Sequence, residues 1–419
     1  MGAAADGAAT TGGGVAMTRG VFALLALAMF INYIDRGNLA TAAPLIKGEL
    51  GLDNTHYGIL VSAFFWVYTP AQLFGAWLAA RLDPYRALAC GLALWSLATV
   101  LSGLANGFVV LLGLRVLLGI GESVGFPATS KMLAANVPPA QLGRANGILN
   151  SGIYFGPAVG TFIGGIVLTL LGWRLLFVVF GGLSLLWIVP WWRATRRLSS
   201  AARSASAVDE PSFGEMLGKR ELWGAAIGHA TTNYPFYLLL SWLPLYLVKT
   251  HGFSLEAMGR LTGVVYALTG AACLASSWLA DRRIARGAPM TRVRLGMVVF
   301  SHALAAACML ACAFGGIEVT IVALLVYSLS PGLGGFNLYA IAQTLAGPRA
   351  AGRWMGLQNA IGNIPGIVSP IVTGWLIDWT GGYSAAFLVA AFLPLAGIAG
   401  WLWLVRRVEP VTWSAPPAR

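Results

Sequence analysis

The sequence predicts an all-α membrane protein of twelve transmembrane helices in two pseudo-symmetric six-helix bundles. Three observations carry that prediction. Of 419 residues, 58% are hydrophobic and only 10% charged, and the mean hydropathy is +0.74, whereas soluble domains carry about 25% charged residues. Apolar stretches of about 20 residues or more, enough to cross a bilayer core of roughly 30 Å as helices, recur from Val21 to Val405 with no room for a soluble domain between them. The stretches also fall into six, a polar segment and six more.

Taken in order, the first six spans are expected at 19–45, 55–82, 85–104, 107–136, 140–169 and 173–195. A polar segment from Thr195 to Arg220 follows, then spans at 221–249, 254–283, 291–313, 317–345, 349–379 and 383–407. The implied organisation is a flexible tail at 1–18, an N-terminal bundle at 19–195, a cytoplasmic linker at 196–220, a C-terminal bundle at 221–407 and a tail at 408–419. The first 17 residues, rich in Ala, Gly and Thr, hold no apolar run of the signal-peptide kind, so the first span serves as an uncleaved insertion signal. The linker runs RATRRLSSAARSASA and then DEPSFGEMLGKR, the composition of a solvated hinge. The halves repeat: YGILVSAFFWVYTPAQLFGAWLAARLDPYR aligns without gaps on MGRLTGVVYALTGAACLASSWLADRRIAR, matching Gly58 to Gly259 and Trp77 to Trp278. Parallel repeats of this kind build midplane sites in one class of transporter.

A net charge of +12 and a pI near 9.9 would suggest nucleic acid in a soluble protein. Here the topology accounts for them. With both termini cytoplasmic, only Lys47, Arg174, Lys249 and Arg260 of the 27 basic residues fall outside and only Arg36 and Arg115 at membrane depth. The rest lie in inner segments, as expected when cytoplasmic loops retain positive charge during insertion. The lipid bilayer is thus the expected partner and nucleic acid is not. The expected location is the plasma membrane, multi-pass, or the inner membrane in a bacterium, with a monomer as the expected state. The four cysteines, Cys90, Cys273, Cys308 and Cys312, all lie in apolar spans and read as small core residues. Cys308 and Cys312 share a helix face but lack the further ligands of a metal site, so neither metal nor cofactor is expected.

Four charges remain in the membrane: Asp35 and Arg36 in FINYIDRGNLATAA, and Arg115 and Glu122 in GLRVLLGIGESVGFP, two turns apart on one helix face. Each costs at least about 2.5 kcal/mol at the centre of a helix, so such residues face a cavity and work there. A salt-bridge network that only holds the bundle together is the competing explanation. An arginine fork suits a carboxylate and stays charged at any working pH, and a neighbouring acid can carry a proton. His229 and His302 also lie within spans and are expected to be packed or hydrogen-bonded. No Gly-x-Ser-x-Gly elbow, His-Glu-x-x-His or phosphate-binding loop is present, which leaves a membrane-embedded enzyme as a remote alternative and argues against an ATP-driven pump.

The segments NYIDRGNLA, FFWVYTPAQLFGAWLA, LRVLLGIGESVGFPATSKM and LSWLPLYL resemble the anion:cation symporter family of the major facilitator superfamily, from about Val21 to Arg407. That family includes bacterial permeases for galactonate, glucarate and hexuronates, and animal organic-anion and glutamate carriers. The resemblance implies that Arg36 contacts the substrate anion, that Asp35 and Glu122 are the protonatable pair, that Arg115 couples to them, and that Tyr68 lines the cavity. In the second half it suggests Asn359 and Gln343 as polar cavity residues, with Tyr234 and Tyr237 as further candidates. The superfamily's loop after the second helix carries an Asp-Arg pair. This chain keeps Arg81 and Arg86 but has Ala80 at the Asp position, while the second half keeps Asp281 and Arg282. These four residues are the expected gating set. The run with Gly152, Gly156, Pro157 and Gly160 resembles an antiporter motif, although close helix packing explains it as well. The expectation is a secondary active transporter that imports a small organic anion, a sugar acid or other carboxylate, with protons. Antiport or efflux of an organic anion or other metabolite is the alternative.

Overall fold

The computed structural model describes residues 18–414 except 82, 138, 197 and 199–210, and among them the chain forms twelve long helical spans. They are α1 (Arg19–Glu49), α2 (Asn54–Arg81), α3 (Pro84–Ser102), α4 (Phe108–Glu122, continued by Gly125–Asn136), α5 (139–171), α6 (173–186, continued by Ile188–Thr195), α7 (Arg220–His251), α8 (Leu255–Ala285), α9 (Met290–Phe314), α10 (Ile317–Tyr327, continued to 346), α11 (348–362, continued by Ile364–Thr380) and α12 (Ser384–Ala399, ending in the wider turn Gly400–Val405). The chain is therefore a multi-pass membrane protein. Local chemistry sets the boundaries. Thr18 accepts a hydrogen bond from the Val21 amide at the start of α1, and Asp83 caps α3 ahead of Pro84. Gly172 and Gly347 adopt φ of 76° and 65°, a region open to glycine, and there the chain passes from α5 to α6 and from α10 to α11 without a loop.

Without a hydrophobic drive between helices in lipid, packing depends on how closely backbones approach. Gly152, Gly156 and Gly160 of α5 lie against Phe30, Tyr33 and Ile34 of α1, so close that a methyl group at Gly156 would meet the Phe30 carbonyl. The glycine run of α5 thus serves packing.

The two halves meet along two related seams. In one, Gly58 of α2 lies on the Pro370 backbone of α11, and Gly374 of α11 lies on the Asn54 backbone of α2. In the other, Gly259 of α8 lies on Thr161 and Gly165 of α5. Gly58 and Gly259, paired by the internal repeat, therefore make corresponding contacts. Tyr57 joins the first seam, donating to the Ser241 carbonyl of α7 at 2.8 Å and meeting Trp242 edge-on at 4.9 Å. Both seams lie toward the face opposite the chain termini, which is closed.

Several expectations are refined. The spans expected at 107–136, 317–345 and 349–379 are interrupted at Ser123–Val124, Ser328 and Asn363. Cys273, Cys308 and Cys312 are buried, but Cys90 is exposed, so only three act as core residues. The segment expected as a tail from 408 packs as far as Ser414: Val411 donates to the Leu345 carbonyl, the Trp413 indole to that of Ala346 at 2.9 Å, and the Ser414 amide to Glu215. Glu215 belongs to a short helix, Phe213–Leu217, at the end of the linker; residues 1–17, 199–210 and 415–419 lie outside the described residues.

Gly156→Leu should prevent recovery of monodisperse protein on size-exclusion chromatography, because overpacking against backbone has no side chain to displace. Gly147→Leu, in open space, should elute like the parent.

Candidate functional site

Arg36 lies in the middle of α1, 6% exposed, and Glu122 closes the first segment of α4, 1% exposed. The arginine donates through Nε and Nη2 to Glu122 Oε2 at 3.1 and 2.7 Å. Three aromatic rings surround the guanidinium, those of Tyr33, Phe64 and Tyr68, with centroids 4.6, 4.6 and 4.7 Å from Cζ. Phe64 and Tyr68 sit one turn apart on α2 and stack at 5.0 Å. Cation–π attraction and one carboxylate thus hold the cation where water is scarce.

Arg115, also on α4 and 4% exposed, is placed differently. Its guanidinium faces the same Phe64 ring at 5.5 Å, yet among the described residues it makes no ion pair, and its buried Nε has no partner. Glu122 Oε1 likewise has no partner. The cluster therefore holds two buried guanidinium groups, of which Arg36 alone is bonded to the Glu122 carboxylate, while Arg115 Nε has no partner among the described residues. Guanidinium donors of this kind recognise carboxylate and phosphate oxygens.

Asp35, although next in sequence to Arg36, points elsewhere. Its Oδ2 accepts from Ser184 of α6 at 3.0 Å and its Oδ1 from Asn38 at 3.2 Å, and it is 1% exposed. Successive residues on a helix diverge by about 100°, so the acid enters the N-terminal bundle while the arginine faces its neighbour. Neither arginine is ion-paired to Asp35.

Residues of the C-terminal half pack against the α2 aromatics beside this cluster. Tyr237 meets Phe65 edge-on at 4.8 Å and donates to Asn363 Oδ1 at 2.5 Å. Its partner stands at the interruption of α11, where Pro365 has no N–H to give and the Gly366 amide turns to the Asn363 carbonyl at 2.8 Å. The Gly362 carbonyl, freed by that shift, accepts from Asn233 Nδ2 of α7 at 2.7 Å. His229, Asn233 and Tyr237 are four residues apart, one face of α7, and all three engage this break; His229 packs on Gly362 and meets Tyr339 edge-on at 5.7 Å. His302 is bound between the Val298 and Gly228 carbonyls at 2.7 and 3.0 Å.

The other expected residues are less central. Tyr234 is buried with its hydroxyl unpartnered, Asn359 is half-buried with Oδ1 unpartnered, and Gln343 is exposed near the end of α10. Of the gating set, Asp281 pairs with Arg294 at 2.8 Å and Arg294 donates to Asn337 at 3.0 Å. Arg282 lies over the Trp278 ring at 4.9 Å. Arg86 is exposed, and the side chains of Ala80 and Arg81 lie outside the described residues. Sequence reasoning missed Tyr33, Ser184, Asn233 and Asn363; the contacts of Asn233 and Asn363 at the α11 break had a signal in Pro365, which forces an unsatisfied carbonyl somewhere on that helix.

Twelve spans in two bundles, with buried charge where the halves face each other, define a membrane transporter. The sequence profile described as Major Facilitator Superfamily matches residues 25–370, and the chain belongs to that superfamily. The hexuronate transporter of Bacillus subtilis is 31% identical over 93% of this chain and 94% of its own. The probable sulfoacetate transporter SauU of Cupriavidus necator is 28% identical over 92% and 93%, and the probable galactarate/D-glucarate transporter GudP of Escherichia coli 28% over 93% and 94%. The crystal structure of a bacterial homologue of the human lysosomal transporter Spinster, inward-facing and unoccupied, superposes with a TM-score of 0.75 at 20% identity, covering 95% of this chain and 98% of that one. The fold is shared. The resemblance to anion carriers is thus matched by relatives named for anions, and none of these proteins is an enzyme.

Removing one partner of a buried pair costs about 3–5 kcal/mol because the other charge stays buried. Glu122→Ala should therefore lower the melting temperature of the purified protein more than Glu122→Gln, whose amide oxygen still accepts from Arg36. Equal melting of both variants and the parent would show that the pair does not hold α1 to α4.

Proposed function

We propose that this protein is a proton-coupled importer of a small organic anion, a sugar acid or another carboxylate, working by alternating access of its two bundles. The observation that supports this most is Arg115, a buried cation that makes no ion pair among the described residues and stands over the same Phe64 ring as Arg36. A transported anion supplies the missing charge. Names of relatives that carry hexuronate, sulfoacetate and glucarate agree with that class.

Arg36 and Arg115 bind the anion's charged group, Arg36 through its planar fork. Tyr68 holds Arg36 by its ring, and Tyr237 closes the cavity from α7, with Tyr234, Asn359 and Gln343 contributing farther from the charge. Glu122 competes with the anion for Arg36: ionised, it occupies the guanidinium; protonated, it releases it. Proton and anion together leave fewer uncompensated charges than either alone, which lowers the cost of occluding the cavity. Asp35 takes the second proton role at a distance, through the bundle packing around Ser184. By the distribution of basic residues the termini face the cytoplasm, and Arg81, Arg86, Asp281 and Arg282 act at that inner gate.

Uptake of radiolabelled glucuronate, glucarate and sulfoacetate into proteoliposomes tests the class. Arg36→Lys should reduce uptake of the accepted anion at least tenfold, because an ammonium keeps the charge but neither spans the three rings nor forks onto a carboxylate. Uptake at the parent rate would remove Arg36 from the site. In the same vesicles Glu122→Gln should abolish accumulation driven by an imposed proton gradient while counterflow exchange persists; gradient-driven accumulation at the parent level would exclude Glu122 as the proton carrier.

A further inference from the structure

Asp378 stands near the end of α11, on the closed face opposite the termini, and its carboxylate reaches across to the first turn of α2. Oδ1 accepts from the Asn54 amide at 3.3 Å and from Asn54 Nδ2 at 2.7 Å; Oδ2 accepts from the Thr55 amide at 2.7 Å and the Thr55 hydroxyl at 2.6 Å. Helix N-termini leave their first amides without intrahelical partners. In α2 the His56 amide is satisfied locally by Asp53 at 2.6 Å, while those of Asn54 and Thr55 are satisfied by a residue more than 320 positions away. Two of the first three amides of α2 are therefore capped by the other bundle. Asn54 is also held from its own side, since Lys47 of α1 donates to its Oδ1.

We propose that Asp378 is a state-selecting residue of the transport cycle: a clasp that caps α2 only while this face is closed and must let go each time it opens. Below it, Gly374 and Gly58 bring the α11 and α2 backbones into contact, and the geometry of all four hydrogen bonds depends on that approach. Opening this face separates Asn54 and Thr55 from Asp378 and returns two helix-terminal amides and a carboxylate to water. Asp378 is exposed, so water replaces part of what is lost. The clasp thus biases the equilibrium without locking it, as a cycling gate requires. An interaction present in one state alone shifts the population by its own differential strength. The expected gating residues lie on the opposite face; this one belongs to none of them.

The test is spectroscopic, on the full-length protein in lipid nanodiscs, and needs no substrate. Spin labels go on Asn106→Cys and Ser384→Cys, exposed positions of the two bundles on the closed face, in a Cys90→Ser background. Asp378→Asn should raise the ratio of long-distance to short-distance population roughly five- to tenfold, and Thr55→Val, which removes one donor, about twofold. A distance distribution for Asp378→Asn that superimposes on the parent overturns the proposal. Should that variant not fold, Thr55→Val and Asn54→Ser decide: unchanged distances in both overturn it, and a shift to longer distances in both supports it. Because the readout is a distance, it stands apart from whether the cargo is an organic anion.

Discussion

The buried pair of Arg36 and Glu122 is the interaction on which the rest of the structure turns. A charge in the bilayer interior is tolerated only where something compensates it, and α1 and α4 are held in register by that need. The carboxylate satisfies two of the arginine's donors at 2.7 and 3.1 Å, and three rings cover the remaining guanidinium surface. The compensation is incomplete, because Arg115 beside the pair makes no ion pair among the described residues. A bundle that needed only stability would be better served by apolar residues of similar volume. Retaining a second buried arginine beside an already paired one fits the proposed binding of a further negative charge that comes and goes.

Glycine makes that arrangement possible. Close approach of α5 to α1 packs the N-terminal bundle, and that of α2 to α11 and α5 to α8 brings the halves together without large side chains between them. Closure on the face opposite the termini is built from these contacts, from Tyr57 on Ser241 and Trp242, and from the carboxylate of Asp378. Small residues give shape complementarity with little chemical adhesion, so such seams can part and re-form. The polar clasp adds direction to an interface that is otherwise only well fitted.

Much of the fold was legible in the sequence because the bilayer imposes length and polarity on every span. Boundaries came within a few residues for α1, α3, α7 and α9, and the repeat matching Gly58 to Gly259 anticipated corresponding seam contacts. The interruptions of α4, α10 and α11 were not legible, since hydropathy does not register a change of helix axis. Within the site, the four intramembrane charges stood out by composition. Their partners did not: adjacency suggested that Asp35 belongs with the arginines, whereas helical rotation sends it to Ser184, 149 residues away. Asn359 is suggested by the family resemblance, whereas the hydrogen bond from Tyr237 goes to Asn363 one turn on; which of two polar residues one turn apart takes such a bond depends on the phase of the helix. Asp378 gave no signal, for an aspartate at a span end is ordinary until its partner's amides are in view.

The central claim is that anion and proton share one electrostatic site, with Glu122 yielding Arg36 to the anion only when protonated. Calorimetric titration of the purified protein with glucuronate, glucarate and sulfoacetate, repeated at one pH in buffers of different ionisation enthalpy, measures that directly. The account predicts that the anion which binds does so with net proton uptake, seen as a binding enthalpy that varies linearly with buffer ionisation enthalpy, and that Glu122→Gln abolishes the slope while retaining binding. Binding of the anion to the parent protein with the same enthalpy in every buffer would contradict it.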